Sequence, residues 1–194
     1  WVDIGAVVRL APIKDVKTMI YAFFELHERL PQVRLHIMGG VDDEEYGAEC
    51  HALVETLGVR DLIFTGRVNV IEYMEKLDFT ILTSISEGQP LSVLESLGAR
   101  RPCVTTEVGC CRELLEGAPG DDFGVAGFVT PPMYRKGLAD AMERMCASRA
   151  RRIEMGERGQ RRVATYFLHE QMLANYRALY DETARAFDLP QKEV

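Results

Sequence analysis

The feature that most constrains this chain is an alternation. Short apolar runs alternate with stretches of helical periodicity from residue 4 to about residue 129, and glycine or proline marks most of the joins. Residues 4–9 (Ile-Gly-Ala-Val-Val-Arg) form an apolar run ending in a charge. Asp15 then stands where a helix cap belongs, and Val16, Ile20, Phe23, His27 and Leu30 follow at spacings near 3.6. Residues 33–38 are a second apolar run, closed by Gly39-Gly40. The acids Asp42 to Glu45 open the next helix, where carboxylates suit the positive end of the dipole, and Gly58 follows its end near Leu57. Further strands are expected at 62–65, 79–83, 102–105 and 127–129, with helices at 70–77, 91–99 and from about 109. Near-continuous apolar strands joined by helical crossovers imply a parallel sheet covered on both faces. The fold class expected is α/β, a doubly wound, Rossmann-like sheet of six parallel strands.

Past Pro131 and Pro132 only helices are expected, at 134–147, 149–166 and 169–187. The last carries Met172, Tyr176, Leu179, Tyr180 and Phe187 on one stripe. Two readings stay open: the stripe covers the domain's own sheet, or it packs on a partner domain outside this chain. One domain is expected over 1–187, with a frayed tail at 188–194. Because the sequence opens at Trp1 and runs straight into a strand, it reads as a piece of a longer protein.

Charge excludes some partners. Lys and Arg number 23 against 30 Asp and Glu, a net charge of -7. A nucleic-acid binder usually shows a basic surface, so nucleic acid is not an expected partner. No run approaches the roughly 18 apolar residues of a membrane span, and no signal peptide is visible. Cys50, Cys103, Cys110, Cys111 and Cys146 are odd in number and form no Cys-x-x-Cys pair. They read as reduced thiols of a cytoplasmic protein.

In an open parallel sheet, ligands sit beyond the carboxyl ends of the strands, where the following helices aim unpaired N–H groups. The segment Ser84-Ile-Ser-Glu-Gly-Gln-Pro-Leu-Ser-Val-Leu-Glu95 leaves a strand and enters a helix. Pro90 suits the first helical position, since the N–H it lacks would have had no partner. Leu91 and Ser92 then offer backbone N–H groups to a phosphate. Glu95 lies on the same helix face, within reach of a ribose diol attached to that phosphate. Glu87, with Gly88 and Gln89 beside it, stands on the loop side. The bland alternative is a solvated loop acid and a surface helix acid; their flanking of a Gly-Gln-Pro turn at the sheet's ligand edge favours a site. Arg9 and Lys14, five residues apart at the first strand exit, can both reach one diphosphate, although taken alone they read as ordinary surface basics.

These residues carry a resemblance. Glu87-Gly-Gln-Pro-Leu-Ser-Val-Leu-Glu95 resembles the donor motif of glycosyltransferase family 4. Arg9 and Lys14, Leu-Ile-Phe-Thr-Gly66-Arg67-Val, Thr105-Thr-Glu-Val-Gly-Cys-Cys-Arg-Glu113 and Gly127-Phe-Val-Thr-Pro-Pro resemble further stretches of its C-terminal domain, over roughly residues 3–185. The resemblance implies one half of a GT-B fold: a domain that binds a UDP-sugar, with a separate N-terminal domain holding the acceptor. It implies retention at the anomeric carbon and no activity in this half alone. By the resemblance Arg9 and Lys14 neutralise the donor diphosphate, Leu91 and Ser92 bind it through backbone, Glu87 contacts the transferred sugar, Glu95 the ribose, and Gly66-Arg67 the base. No Asp-x-Asp occurs, which agrees with a metal-independent reaction without cofactor. The chain departs from the family at Val8, Asp15, Gln89 and Cys110, where Gly, Gly, Phe and a small residue are common. The string Pro-Ile-Lys-Asp-Val-Lys-Thr resembles the subfamily of cytoplasmic glucosyltransferases that make Pel-type exopolysaccharide, which implies UDP-glucose and a glycan acceptor.

Alternatives are a nucleotide-sugar epimerase of similar architecture and a noncatalytic nucleotide-sugar module. A dinucleotide oxidoreductase lacks support, because no Gly-x-Gly-x-x-Gly follows the first strand. Elsewhere, His27 is expected to pack, Cys110 and Cys111 to pack or line the cleft, Tyr73 to pack or to stack near a base, and Asp121-Asp122 to form a solvated turn.

Overall fold

A computed structural model describes residues 1–187. The expected frayed tail at 188–194 lies outside the described residues. Six strands form one sheet: β1 (Val2–Val7), β2 (Val33–Met38), β3 (Leu62–Gly66), β4 (Phe79–Leu82), β5 (Cys103–Thr106) and β6 (Gly127–Thr130). Their order is β3-β2-β1-β4-β5-β6, and every pairing is parallel. The helices are α1 (Val16–Arg29), α2 (Glu44–Leu57), α3 (Val70–Met74), α4 (Leu91–Gly98), α5 (Cys111–Glu116), α6 (Arg135–Cys146), α7 (Arg149–Tyr166) and α8 (His169–Ala186). The expected doubly wound, Rossmann-like α/β domain is therefore present.

Alternate strand residues feed opposite layers, as a period of two requires. Ile4, Ala6, Leu35, Ile37, Phe79, Ile81 and Val104 pack with α1, α2 and α6. Leu82 and Cys103 face α4 and α5, and Met38 faces Met74 and Leu77 beside α3. The short capping residues set the crossovers. Asp15 (φ +47°) caps α1 by accepting the Thr18 N–H at 3.4 Å, and Asp43 caps α2 by accepting that of Tyr46 at 2.9 Å. Gly58 ends α2 in the left-handed conformation.

Four expectations shift. β1 covers 2–7 rather than 4–9: Asp3 is accommodated in the strand because Arg34 on β2 binds it at 2.7 and 2.9 Å. α3 stops at Met74, three residues short of the expected 77, and Lys76 and Leu77 follow in turns closed on Tyr73 and Met74. Asp121 is not a solvated turn residue; its side chain is buried against Arg162, at 2.5 and 3.0 Å. Arg162 also donates to the carbonyls of Leu114, Leu115 and Gly124, so it ties α7 to the α5–β6 loop. The loop's acid reads as polar in sequence, and only its partner 41 residues away buries it. Finally, α8 does not cover the sheet. None of its residues is buried, and Met172, Tyr176, Leu179 and Tyr180 lie exposed.

Candidate functional site

The exits of β1, β2, β3 and β4 enclose a cleft of about 630 Å³ at the carboxyl edge of the sheet. Arg9, Lys14, Arg67, Glu87, Gln89, Pro90, Leu91, Ser92 and Glu95 all line it. Gly66 and Gly88 do not; they shape the loops behind it. The Gly66 carbonyl accepts the Gly39 N–H at 2.9 Å, and that of Gly88 accepts the Cys110 N–H at 3.0 Å. Sequence reasoning thus brought together residues up to 86 positions apart, but it missed the apolar wall of Val7, Val8, Met38, Val68 and Val70. Those residues read simply as strand ends or as the start of a helix, and only the sheet order places them side by side.

Chain connectivity explains the placement. A 3₁₀ turn at Pro12–Lys14 follows β1. The Ile85 N–H donates to Ile13 O at 2.9 Å, and Thr83 Oγ1 donates to Lys14 O at 2.9 Å. The β1 and β4 exits are thereby laced together, which brings Lys14 Nζ within 2.5 Å of Glu87 Oε1. Arg9 lies further out, exposed, with Nη1 at 2.5 Å from Asp42 Oδ2. Each of the two cations thus already holds a carboxylate, a pairing the sequence reading did not include. Asp42 was read only as a helix-dipole acid. Asp43 takes the cap position, so its neighbour is left to reach across to the β1 exit. The Asp42 and Asp43 N–H groups both donate to Leu10 O at 3.1 Å, fixing that loop against β1.

The helix cradle differs by one position from the expected one. Pro90 is the N-cap (φ -73°, ψ 113°) and α4 begins at Leu91. The Pro90 carbonyl accepts from Val93 at 3.1 Å and Leu94 at 3.4 Å. Leu91 and Ser92 are therefore the first two helical residues, whose N–H groups have no carbonyl inside the helix. Glu95 stands exposed one turn on, at the cleft wall. The loop before α4 rests on Gly109 (φ +50°): a Cβ there would lie 2.0 Å from Gly88 O and 2.4 Å from Glu87 O. Arg67 lies across Gly40, its Nε 3.1 Å from where a Cβ would stand.

Other candidates fall away from the cleft. Tyr73 packs beside Met38, Met74 and Leu77, and its hydroxyl meets His36 Nδ1 at 3.0 Å. His27 is half-buried against Asp61 at 3.2 Å. All five cysteines are free thiols. Burial raises the Cys110 thiol and pushes Cys111 up to about 11, so both are poor nucleophiles at neutral pH.

The site is thus a carboxyl-edge cleft of a parallel doubly wound sheet, with cations, acids and an open helix end, the arrangement in which α/β domains commonly bind anionic ligands. The chain belongs to the glycosyl transferases group 1 family, whose model matches residues 2–148. It is 26% identical over 175 residues to the N-acetyl-alpha-D-glucosaminyl L-malate synthase of Bacillus anthracis, covering 89% of this chain and 43% of that protein. It is 36% identical over 88 residues to the O-antigen biosynthesis glycosyltransferase WbnH of Escherichia coli, covering 45% of this chain and 24% of that one. Among solved structures, Anabaena HepE in complex with UDP and glucose superposes with a TM-score of 0.78 at 23% identity, over 94% of this chain and 48% of that one. The C-terminal domain of the Francisella tularensis group 1 protein LpcC superposes at 0.75 and 20% identity, covering 87% of both chains. The chain thus spans less than half the length of the curated relatives. No helix among the described residues is long and apolar enough to cross a membrane.

Proposed function

We propose that this chain is the donor-binding half of a retaining, metal-independent glycosyltransferase that takes UDP-glucose and passes glucose to a glycan acceptor in exopolysaccharide synthesis. The observation that carries the reading is the single cleft that gathers Arg9, Lys14, Glu87, the start of α4 and Glu95. The uracil choice leans on the UDP and UDP-glucose complexes of HepE. The five free thiols fit a cytoplasmic setting.

The chemistry follows from the charges. As the glycosidic bond breaks, negative charge grows on the departing diphosphate. Lys14, Arg9 and the N–H groups of Leu91 and Ser92 stand ready for it, fixed by the fold before reaction. No metal is needed for that role in this reading. Glu95 takes the ribose hydroxyls and Glu87 those of the sugar, while Arg67, on the turn that Gly66 shapes, and the apolar wall of Met38, Val68 and Val70 hold the base. The partner half supplies the acceptor, and the exposed stripe of α8 supports its existence: Met172, Tyr176 and Leu179 continue a groove with Leu91 and Leu94 at the cleft's margin.

Calorimetry of the chain against UDP-, GDP- and ADP-sugars, with and without EDTA, tests this. The expected order places UDP-glucose first with no effect of chelation. Glu95→Ala is expected to weaken UDP by about tenfold or more, the loss of charge-assisted hydrogen bonds. Glu87→Ala is expected to spare UDP and reduce the added affinity of the sugar. Preference for a purine nucleotide, or identical affinities in both variants, contradicts the assignment.

A further inference from the structure

Glu87 is held in an uneven way. Its Oε1 accepts two hydrogen bonds, from Lys14 Nζ at 2.5 Å and from Ser84 Oγ at 2.7 Å. Its Oε2 has no hydrogen-bond partner among the described residues, yet it is not among the buried unpartnered atoms, so solvent reaches it. Ser84 itself is fully buried, and its carbonyl accepts from Thr106 Oγ1 on β5 at 2.7 Å. Its hydroxyl is thus anchored to the sheet.

This matters because a carboxylate turns about a broad terminal torsion. A lysine ammonium is a compact charge on a flexible stem, and alone it does not fix the plane of the group it binds. A hydroxyl two residues past β4, on backbone held to β5, does. Resting on the donor-binding reading, we propose that Ser84 is a positioning residue: with Lys14 it locks Glu87 Oε1 and leaves Oε2 as the acceptor for hydroxyls of the transferred sugar. The two oxygens of one acid then have separate tasks, one structural and one toward substrate. Lys14 is shared between Glu87 and the diphosphate, which couples recognition of the sugar to recognition of the phosphates.

The test is Ser84→Ala in the 194-residue chain, read in two ways. Calorimetry gives the ratio of UDP-glucose to UDP affinity, and carboxyl carbon NMR at one neutral pH gives the Glu87 side-chain resonance. The expected result is a fall of about tenfold in the ratio, with UDP affinity held within about twofold. The Glu87 carboxyl resonance moves, since one of the two donors to Oε1 has been lost. Ser84→Thr, which keeps the hydroxyl, restores the resonance. An unmoved resonance, an unchanged ratio, or an equal loss of UDP and UDP-glucose affinity overturns the proposal. Should the unaltered chain bind neither ligand, the donor-binding reading fails, and the resonance alone decides whether Ser84 orients Glu87.

Discussion

Gly109→Ala isolates the contact that shapes the cleft's acid loop. At φ +50° an alanine is strained by about 1–2 kcal/mol. Its methyl would also stand 2.0 Å from Gly88 O and 2.4 Å from Glu87 O. A carbon and a carbonyl oxygen settle near about 3.3 Å, so the Glu87–Gly88 backbone must retreat by more than about 1 Å. The Cys110 N–H to Gly88 O bond stretches with it, at a cost of about 0.5–1.5 kcal/mol. Together these destabilise the chain by about 1.5–3.5 kcal/mol, seen as a lower urea midpoint. The larger effect falls on binding. A shift of about 1 Å in Glu87 and the α4 entrance breaks the alignment of groups that must meet one ligand, so UDP-glucose affinity is expected to drop by about tenfold or more. Gly58→Ala is the control, because Gly58 has a similar φ of +61° with nothing within 4 Å of the added carbon. It carries the left-handed strain without the clash, and its affinity should match that of the unaltered chain. If both variants unfold at the same urea concentration and bind alike, the close approach at Gly109 does not constrain the loop.

Two further predictions concern the buried pair that joins α7 to the α5–β6 loop. Arg162→Met leaves Asp121 without its partner and is expected to cost about 3–5 kcal/mol by urea denaturation. Adding Asp121→Leu should recover much of that loss, and no recovery would show that the arginine acts through the carbonyls of Leu114, Leu115 and Gly124 instead. The second is a pH effect. The Arg162 guanidinium holds the Asp121 carboxyl below its ordinary value of 3.8. A folded-state value below the unfolded one means the stabilisation is complete above the ordinary value and fades as pH falls toward the depressed one. Urea midpoints measured from neutral pH down to about 3 should therefore fall less steeply in Asp121→Asn. Parallel curves would remove Asp121 from the acid response.

Most of the architecture was legible because its causes are local. The strand–helix alternation, Asp15 as a cap and Gly58 as a stop each depend on residues within a few positions. The cleft was legible because topology forces ligands to one edge, and the chain's unusual residues cluster at strand exits. What sequence could not show were pairings between residues far apart in the chain. Asp42 against Arg9 spans 33 positions, Lys14 against Glu87 spans 73, and Asp121 against Arg162 spans 41. Each acid had an ordinary local explanation. Similarly, the stripe on α8 is a sound helical pattern, but periodicity says that a face is apolar and not what lies against it.

Those pairings change how the cleft must work if it holds a diphosphate. Its cations Arg9 and Lys14 are matched by Asp42 and Glu87, so the free site offers little uncompensated positive charge. The two pairs are not equivalent. Arg9 and Asp42 are 63% and 46% exposed, and such a pair contributes about 0–1 kcal/mol. Exchanging Asp42 for a phosphate oxygen therefore costs little, and the guanidinium gains a partner it can grip with two N–H groups. Lys14 and Glu87 are only 20% and 15% exposed, and Ser84 adds a second bond to the acid. That pair resists exchange, so Lys14 meets a ligand while still bound to Glu87. The balance of attraction then falls on the helix end, about half a charge at Leu91 and Ser92, with no acid in the first turn of α4. If the proposed function holds, α4 sets where the phosphates lie, Arg9 closes on them from the rim, and Lys14 links their presence to Glu87, the acid proposed for the sugar.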